Sequence, residues 1–424
     1  MTAPVPFSLL PDHASVDADG MLVIGGVRVD DVAAEFGTPL FIYDEAHLRA
    51  RCREAVEAFG EGVAYATKAF LCKAMARLAY EEGMHLDVAT GGELHVALAA
   101  GVPPDRLVMH GNNKSLAELR MALEAGVGRI VVDSFDELDR IEALHASDGF
   151  VAPALLRVTP GVEAHTHEYI ATGQDDSKFG FTVSTGVADA AVRRARTSSA
   201  LELLGIHAHI GSQVFRLDSF RSAAKVLAEF SNPLALPELS VGGGLGVAYV
   251  DGEETLPIPA WGKIVLDACA EAGVTARVTA EPGRAIAAAA AITVYRVGTV
   301  KELDGIRTYV AVDGGMSDNP RPVLYGSGYE TFLPRAVRAE RERSVRVVGK
   351  HCESGDVLVR EATVPVGIAV GDLLATPVTG AYGHSMGSNY NKVLRPPVVF
   401  VRDGEARVVV ERERYDDLLT NDIG

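Results

Sequence analysis

The sequence predicts an α/β protein: a (β/α)8 TIM barrel with a C-terminal β-barrel or β-sandwich domain that includes an N-terminal hairpin. Three observations lead there. From residue 62 onward, short apolar strands alternate with helical stretches of amphipathic period. The polar residues of those strands gather at their carboxyl ends, where barrel enzymes place their chemistry. After Ala290 the rhythm changes to strands separated by turn residues.

Taken in order, Met21 to Val29 (MLVIGGVRV) reads as a small hairpin around Gly25-Gly26. Eight strands follow: Val63–Lys68, His85–Thr90, Leu107–Gly111, Arg129–Ser134, Ala154–Thr159, Leu203–Ile210, Glu238–Gly243 and Arg277–Glu281. Between them, Glu93–Ala100, Leu116–Ala125, Phe135–His145, Val187–Arg196, Phe220–Phe230 and Ile264–Ala272 carry helical period, several opened by Ser, Asp or Gly and closed by Gly. Eight such units in about 230 residues is the size of a (β/α)8 barrel. A doubly wound sheet has the same rhythm, but eight consecutive units offer no sheet edge. The later strands are Ile292–Val300, Thr308–Val312, Val345–Val348, Asp356–Val359 and Val398–Val401, with the charged stretch Arg335–Arg343 as the one expected helix. The expected division is 1–36 joining the β domain, 37–285 as the barrel and 286–424 as the C-terminal domain.

Composition narrows the function. A net charge of −17 argues against a nucleic-acid or anionic-membrane partner, which would need clustered Lys and Arg, and favours a small-molecule one. Cys52, Cys72, Cys269 and Cys352 show no metal-type spacing, so a reduced, cytoplasmic setting and no metal are expected. The opening MTAPVPFSLLPDH lacks the pattern of a secretory signal, and the longest apolar run, Ala285 to Val294, is too short to span a bilayer.

Lys68 ends the apolar run that opens the barrel. A cation on a buried strand is costly unless paired, neutral or covalently used, and burial makes a lysine amine nucleophilic; the plain alternative is that Lys68 snorkels to water. Asp87, His110, Asp133, Arg157, His209 and Glu281 sit at or near the ends of later strands. Gly242-Gly243-Gly244 after the seventh strand and Glu281-Pro282-Gly283-Arg284 after the eighth lie where barrels bind phosphate through backbone N–H groups. Glu281 suits a protonated ring nitrogen, or else a salt bridge to Arg284; His209 could stack on a ring, or be a satisfied core histidine. Together they imply pyridoxal 5′-phosphate (PLP). Arg284 and Arg321 could each grip a carboxylate, and Cys352 stands between ionisable neighbours in a glycine-rich, polar part of the second domain.

The stretches YATKAF, HGNNKS, GVEAHTHEYIATGQDDSKFGF, HAHIGSQ, GGGLG, EPGRAI, DGGMSDNPRP, GKHCESGD, TGAY and SNYN carry a resemblance over nearly the whole chain. It resembles the meso-diaminopimelate decarboxylases, in the fold-type III family of PLP-dependent decarboxylases. Related ornithine and arginine decarboxylases share the lysine, HIGS-like and EPGR-like elements, so a decarboxylase of another basic amino acid is the alternative. A non-catalytic regulatory relative would be expected to lack Lys68 or Cys352, and both are present.

The resemblance implies decarboxylation of meso-2,6-diaminopimelate to L-lysine, the last step of lysine biosynthesis, by a homodimer with shared sites. It implies that Lys68 bonds PLP, His209 stacks on its ring and Glu281 meets the ring nitrogen. Asp87, Ser212, Gly242, Gly243, Gly244, Pro282, Gly283, Arg284 and Tyr382 would complete the cofactor site. Arg284, Arg321, Tyr325, Glu353 and Tyr382 would bind substrate, with Cys352 and Glu353 supplied by the partner and Cys352 as proton donor. Phe70 departs from the Asn that many members carry.

Overall fold

The computed structural model describes residues 3–161, 175–209 and 217–424. They form two compact units.

The first, Arg51–Gly246 with Thr255–Ala285, is the barrel. Its strands are Ala64–Ala66, His85–Val88, Leu107–Met109, Arg129–Val132, Ala152–Thr159, Leu201–His207, Glu238–Ser240 and Arg277–Thr279, each parallel to the next. The first and last meet through Ala64 N–H to Ala280 O at 2.9 Å and Ala66 N–H to Pro282 O at 3.2 Å, which closes the sheet on itself. All eight expected strands are present. Closure leaves no edge, and Ala64, Val108, Val131 and Leu155 fill the interior. At the amino-terminal end Glu238 takes Arg129 at 2.8 Å and Arg277 at 2.6 Å, so the charges there satisfy one another.

Capping residues set where the helices start. Ser115 and Glu118 form a reciprocal capping box for Leu116–Ala125, and Ser134 accepts the Glu137 N–H at the start of Phe135–Asp148. Gly126 and Gly149 end these two helices in the left-handed conformation. A helix absent from the sequence reading, Lys73–Glu81, follows the first strand with Cys72 as its cap.

The second unit comprises Met1–Ala50, Val247–Glu254 and Ile286–Gly424. Its mixed sheet runs Val357–Val364, Arg343–Val348, Arg307–Val312, Ala291–Leu303, Leu40–Asp44, Val398–Arg402, Glu405–Val410, with Leu373–Pro377 also paired to Ala291–Leu303. The N-terminal meander Ala14–Val16, Leu22–Ile24, Val27–Arg28 packs on it: Leu22 and Ile24 share a core with Ile42, Ile292, Val294, Val399 and Val401. Residues 37–50, expected with the barrel, lie in this unit because Leu40–Asp44 pairs with Ala291–Val294 on one side and Val398–Val401 on the other.

The expected helix at Arg335–Arg343 is not one. A single turn, Pro334–Ala336, precedes the strand that begins at Arg343. Its arginines go to separate partners instead: Arg335 to Asp372 at 2.8 Å, Arg338 over the Phe7 ring at 5.7 Å, Arg341 to Glu330 at 2.5 Å, and Arg343 to Glu302. Tertiary pairing overrides the local charge pattern.

Candidate active site

Lys68 is not buried. The first strand ends at Ala66, and Thr67–Ala69 forms a 3₁₀ turn that leaves Lys68 exposed between two buried neighbours. The turn is pinned from both sides: Thr67 Oγ1 donates to Asp87 O at 2.7 Å, and Tyr65 Oη donates to Phe70 O at 2.8 Å. The amine therefore avoids the desolvation cost assigned to it from sequence, yet its charge still reaches Asp87 and His209. His209 is held well below its ordinary value by burial first and by the Lys68 and Arg157 charges next. Gly243 N–H donates to His209 Nδ1 at 3.1 Å, which places the ring proton on Nε2.

Parallel register brings Arg157, His207, Ser240 and Thr279 to one level across the fifth to eighth strands. Two of them converge on Glu281. Ser240 Oγ donates to Glu281 Oε1 at 2.8 Å, and His207 Nε2 lies 2.9 Å from Oε2. His110 Nε2 stands 3.5 Å from Glu281 Oε1 and 3.6 Å from Asp87 Oδ1.

Burial alone would raise the Glu281 carboxyl; His207 and His110 outweigh it and hold the group well below its usual value. Burial pushes Asp87 up to about 6 and His207 down to about 4. His110 moves the other way, because Asp87 and Glu281 overcome its desolvation. The carboxylates thus favour the charged form of His110, while burial favours the neutral form of His207. Ligand-type atoms of His110, His207 and Glu281 also lie within 4.8 Å of one another, but Glu281 is already engaged by His207 and Ser240, as in a hydrogen-bonded network.

Neither His207 nor Ser240 is among the site residues expected from the sequence. The signal for His207 is period two: it precedes His209 by two residues within the expected strand Leu203–Ile210, which puts the pair on one face. No local signal pointed Ser240 at a residue 41 positions away.

The glycine run serves close chain approach. A Cβ on Gly243 would lie 2.3 Å from Glu281 O, and one on Gly283 would lie 2.9 Å from Ala66 O. Gly242 and Gly244 have φ of +71° and +108°, which side-chain-bearing residues rarely adopt. Pro282 and Arg284 are buried beside them. Ser212 lies outside the described residues.

The chemistry of this donor set fits PLP. A ring nitrogen that must stay protonated needs a partner that stays ionised, which Glu281 is, and a primary amine is displayed at the same rim.

The other predicted residues lie in the β unit. Arg321 is buried, donates from Nη1 to Tyr329 Oη at 2.6 Å, and stacks 4.1 Å from the Tyr249 ring centroid. Tyr325 ends the short helix Arg321–Tyr325. Tyr382 is half-buried at φ +62°, a left-handed residue in a turn. Cys352 and Glu353 are exposed, whereas Cys52, Cys72 and Cys269 are buried.

Three motif loops far apart in sequence meet here. Asp356 accepts the N–H groups of His351 (2.9 Å) and Met316 (2.7 Å), His351 Nε2 lies 2.9 Å from Ser317 Oγ, and Ser388 N–H donates to Ser317 O at 2.9 Å.

Residues 45–288 match the family described as pyridoxal-dependent decarboxylase, pyridoxal binding domain. The chain is 48% identical to the diaminopimelate decarboxylase of Mycobacterium tuberculosis, covering 97% of each, and 45% identical to that of Bacillus subtilis, covering 95% of each. Among solved structures it is similar to diaminopimelate decarboxylase from M. jannaschii in complex with L-lysine, at a TM-score of 0.90 and 30% identity over 97% of this chain and 98% of that one. The Helicobacter pylori enzyme complexed with L-lysine gives 0.85 and 32% over 92% and 98%.

Proposed function

Because the chain belongs to the pyridoxal-dependent decarboxylases, and within them to the diaminopimelate decarboxylases, we propose that it converts meso-2,6-diaminopimelate to L-lysine and CO2, using PLP. The observation that carries the reading is Glu281: a buried carboxylate kept ionised by His207 and His110 and held by a Ser240 hydrogen bond, on the rim that displays Lys68.

PLP, when bound, supplies an acceptor for the electrons of the broken Cα–carboxylate bond. Glu281 would present its carboxylate to the ring nitrogen, and Ser240 and His207 hold that carboxylate in place. Lys68 would hold the cofactor through Nζ. His209 would lie against the ring; Asp87, Ser212, Gly242, Gly243, Gly244, Pro282, Gly283, Arg284 and Tyr382 would complete the cofactor site. Arg284 and Arg321 take substrate carboxylates, with Tyr325, Glu353 and Tyr382 beside them. Cys352 gives its Sγ proton to the carbon that lost CO2. Buried arginines reject a substrate without the distal carboxylate, since its absence would strand their charge.

We assign a homodimer in which Cys352 and Glu353 of one protomer serve its partner's barrel. The exposure of Cys352, alone among four free cysteines, supports that assignment. A biosynthetic role in the cytoplasm accords with the free cysteines, and among the described residues no helix is long and apolar enough to cross a membrane.

Turnover of meso-diaminopimelate, ornithine, arginine and lysine with added PLP tests the reading. Preference for any of the last three overturns the substrate assignment.

A further inference from the structure

The SNYN stretch, Ser388–Asn391, has no role in the chemistry above, yet it reaches the proposed proton donor. Asn391 Oδ1 accepts the backbone N–H of Cys352 at 3.0 Å, across 39 residues. The residue that makes this contact sits in an unusual backbone: Asn391 and Lys392 have φ of +50° and +58°. Asparagine tolerates the left-handed region better than most residues, lysine does not, and two in succession persist only where the surroundings impose them.

Those surroundings are visible. Asn389 Nδ2 donates to Val393 O at 3.1 Å and to Glu413 Oε2 at 2.5 Å, and the same Glu413 oxygen accepts Arg395 N–H at 2.8 Å. Lys392 N–H returns to Asn389 O at 2.8 Å and Val393 N–H to Tyr390 O at 3.1 Å. The Tyr390 ring lies against His351, centroids 5.4 Å apart.

The thiol's loop is gripped on its other side by Asp356, which accepts the His351 and Met316 N–H groups. The grip is close: a Cβ on Gly349 would lie 2.2 Å from Asp356 Oδ2, and one on Gly315 would lie 2.7 Å from it. Asp356 therefore anchors His351, the residue before the thiol, and Asn391 anchors the thiol residue itself.

We propose that Asn391 is a positioning residue for proton delivery: its side-chain oxygen, presented by the left-handed 391–392 turn, fixes the backbone from which Cys352 Sγ projects. This rests on the assignment of Cys352 as proton donor. The asparagine serves two requirements that substitution separates. Glycine satisfies the left-handed backbone and removes the acceptor; aspartate keeps both an acceptor oxygen and tolerance of the turn.

The test measures amide hydrogen exchange at Cys352, kcat, and PLP affinity in the PLP-loaded enzyme for Asn391→Gly and Asn391→Asp. In Asn391→Gly, Cys352 exchange speeds by about tenfold, the loss of one hydrogen bond of roughly 1.4 kcal/mol. There kcat falls by about tenfold to a hundredfold, as expected for a donor misplaced by about 1 Å, while PLP affinity holds. A larger solvent deuterium isotope effect on kcat accompanies the fall, because proton delivery becomes the slow step. Asn391→Asp keeps the protection and most of kcat. If Asn391→Gly retains wild-type kcat and isotope effect, the residue serves only the backbone turn and the proposal is overturned; unchanged Cys352 exchange overturns it at the contact itself. Full activity in Cys352→Ala would instead remove the proton-donor assignment, a separate outcome.

Discussion

Lys114, in the HGNNKS stretch, offers the sharpest test of how the barrel rim is held together. Its side chain is buried to about 1% exposure, and so is that of Glu137, 2.8 Å away. Nζ also donates to Gly111 O at 2.6 Å and Val131 O at 2.8 Å, while Glu137 Oε2 accepts Asp133 N–H at 3.0 Å. One ammonium thus joins the ends of the third and fourth strands. Lys114→Met keeps the stem and removes the charge, leaving a carboxylate and two carbonyls in a dry site. Breaking a buried pair by removing one partner costs about 3–5 kcal/mol. In a unit of this size each kcal/mol moves Tm by about 2–4 °C, so the apoprotein's barrel transition should drop by about 10 °C. Adding Glu137→Gln removes the stranded charge and keeps an acceptor for Asp133 N–H, and should recover about half of the loss. Calorimetry of wild type, single and double variants reads this directly. A single variant melting within about 2 °C of wild type, or a double variant no better than the single, would refute the argument.

Three further outcomes follow from other parts of the structure. Mixing inactive Lys68→Ala and Cys352→Ala protomers should restore part of the activity where sites are shared, and no recovery after verified subunit exchange would count against the dimer; Lys68→Ala alone should lose PLP on dialysis, whereas Cys352→Ala should keep it. Burial pushes Asp318 up to about 7, against the Tyr295 hydroxyl at 2.6 Å. The folded chain then binds a proton that the unfolded chain releases near pH 4, so this group's contribution to stability falls as pH rises from about 4 to 7. Asp318→Asn lacks that titration, and denaturant unfolding should show the variant gaining on wild type by about 1.4 kcal/mol per pH unit in that window. Parallel profiles for the two proteins would contradict the assigned shift.

The barrel was legible because its signals are local. Each strand is a short apolar run, each helix shows its own period and caps, and every one of the eight expected strands is found within a few residues of its place. The same locality explains the failures. Arg335–Arg343 looks helical by charge pattern until Asp372, Glu330 and Glu302 claim three of its four arginines. Leu40–Asp44 gives no hint that it pairs with Ala291–Val294 some 250 positions later, a span visible in the register alone.

The site divides along the same line. By itself the sequence determined which residues stand at the strand ends, Lys68, Asp87, His110, His209 and Glu281, because alternation along a strand sets face and order. The tertiary structure alone decided how they are used. It turned Lys68 out of the strand into an exposed 3₁₀ position, closed His207 and Ser240 on Glu281 across 74 and 41 residues, and brought Asn391 to Cys352. Exposure, ionisation and aim depend on which groups become neighbours in space, and only closure of the barrel and the joining of distant loops settle that.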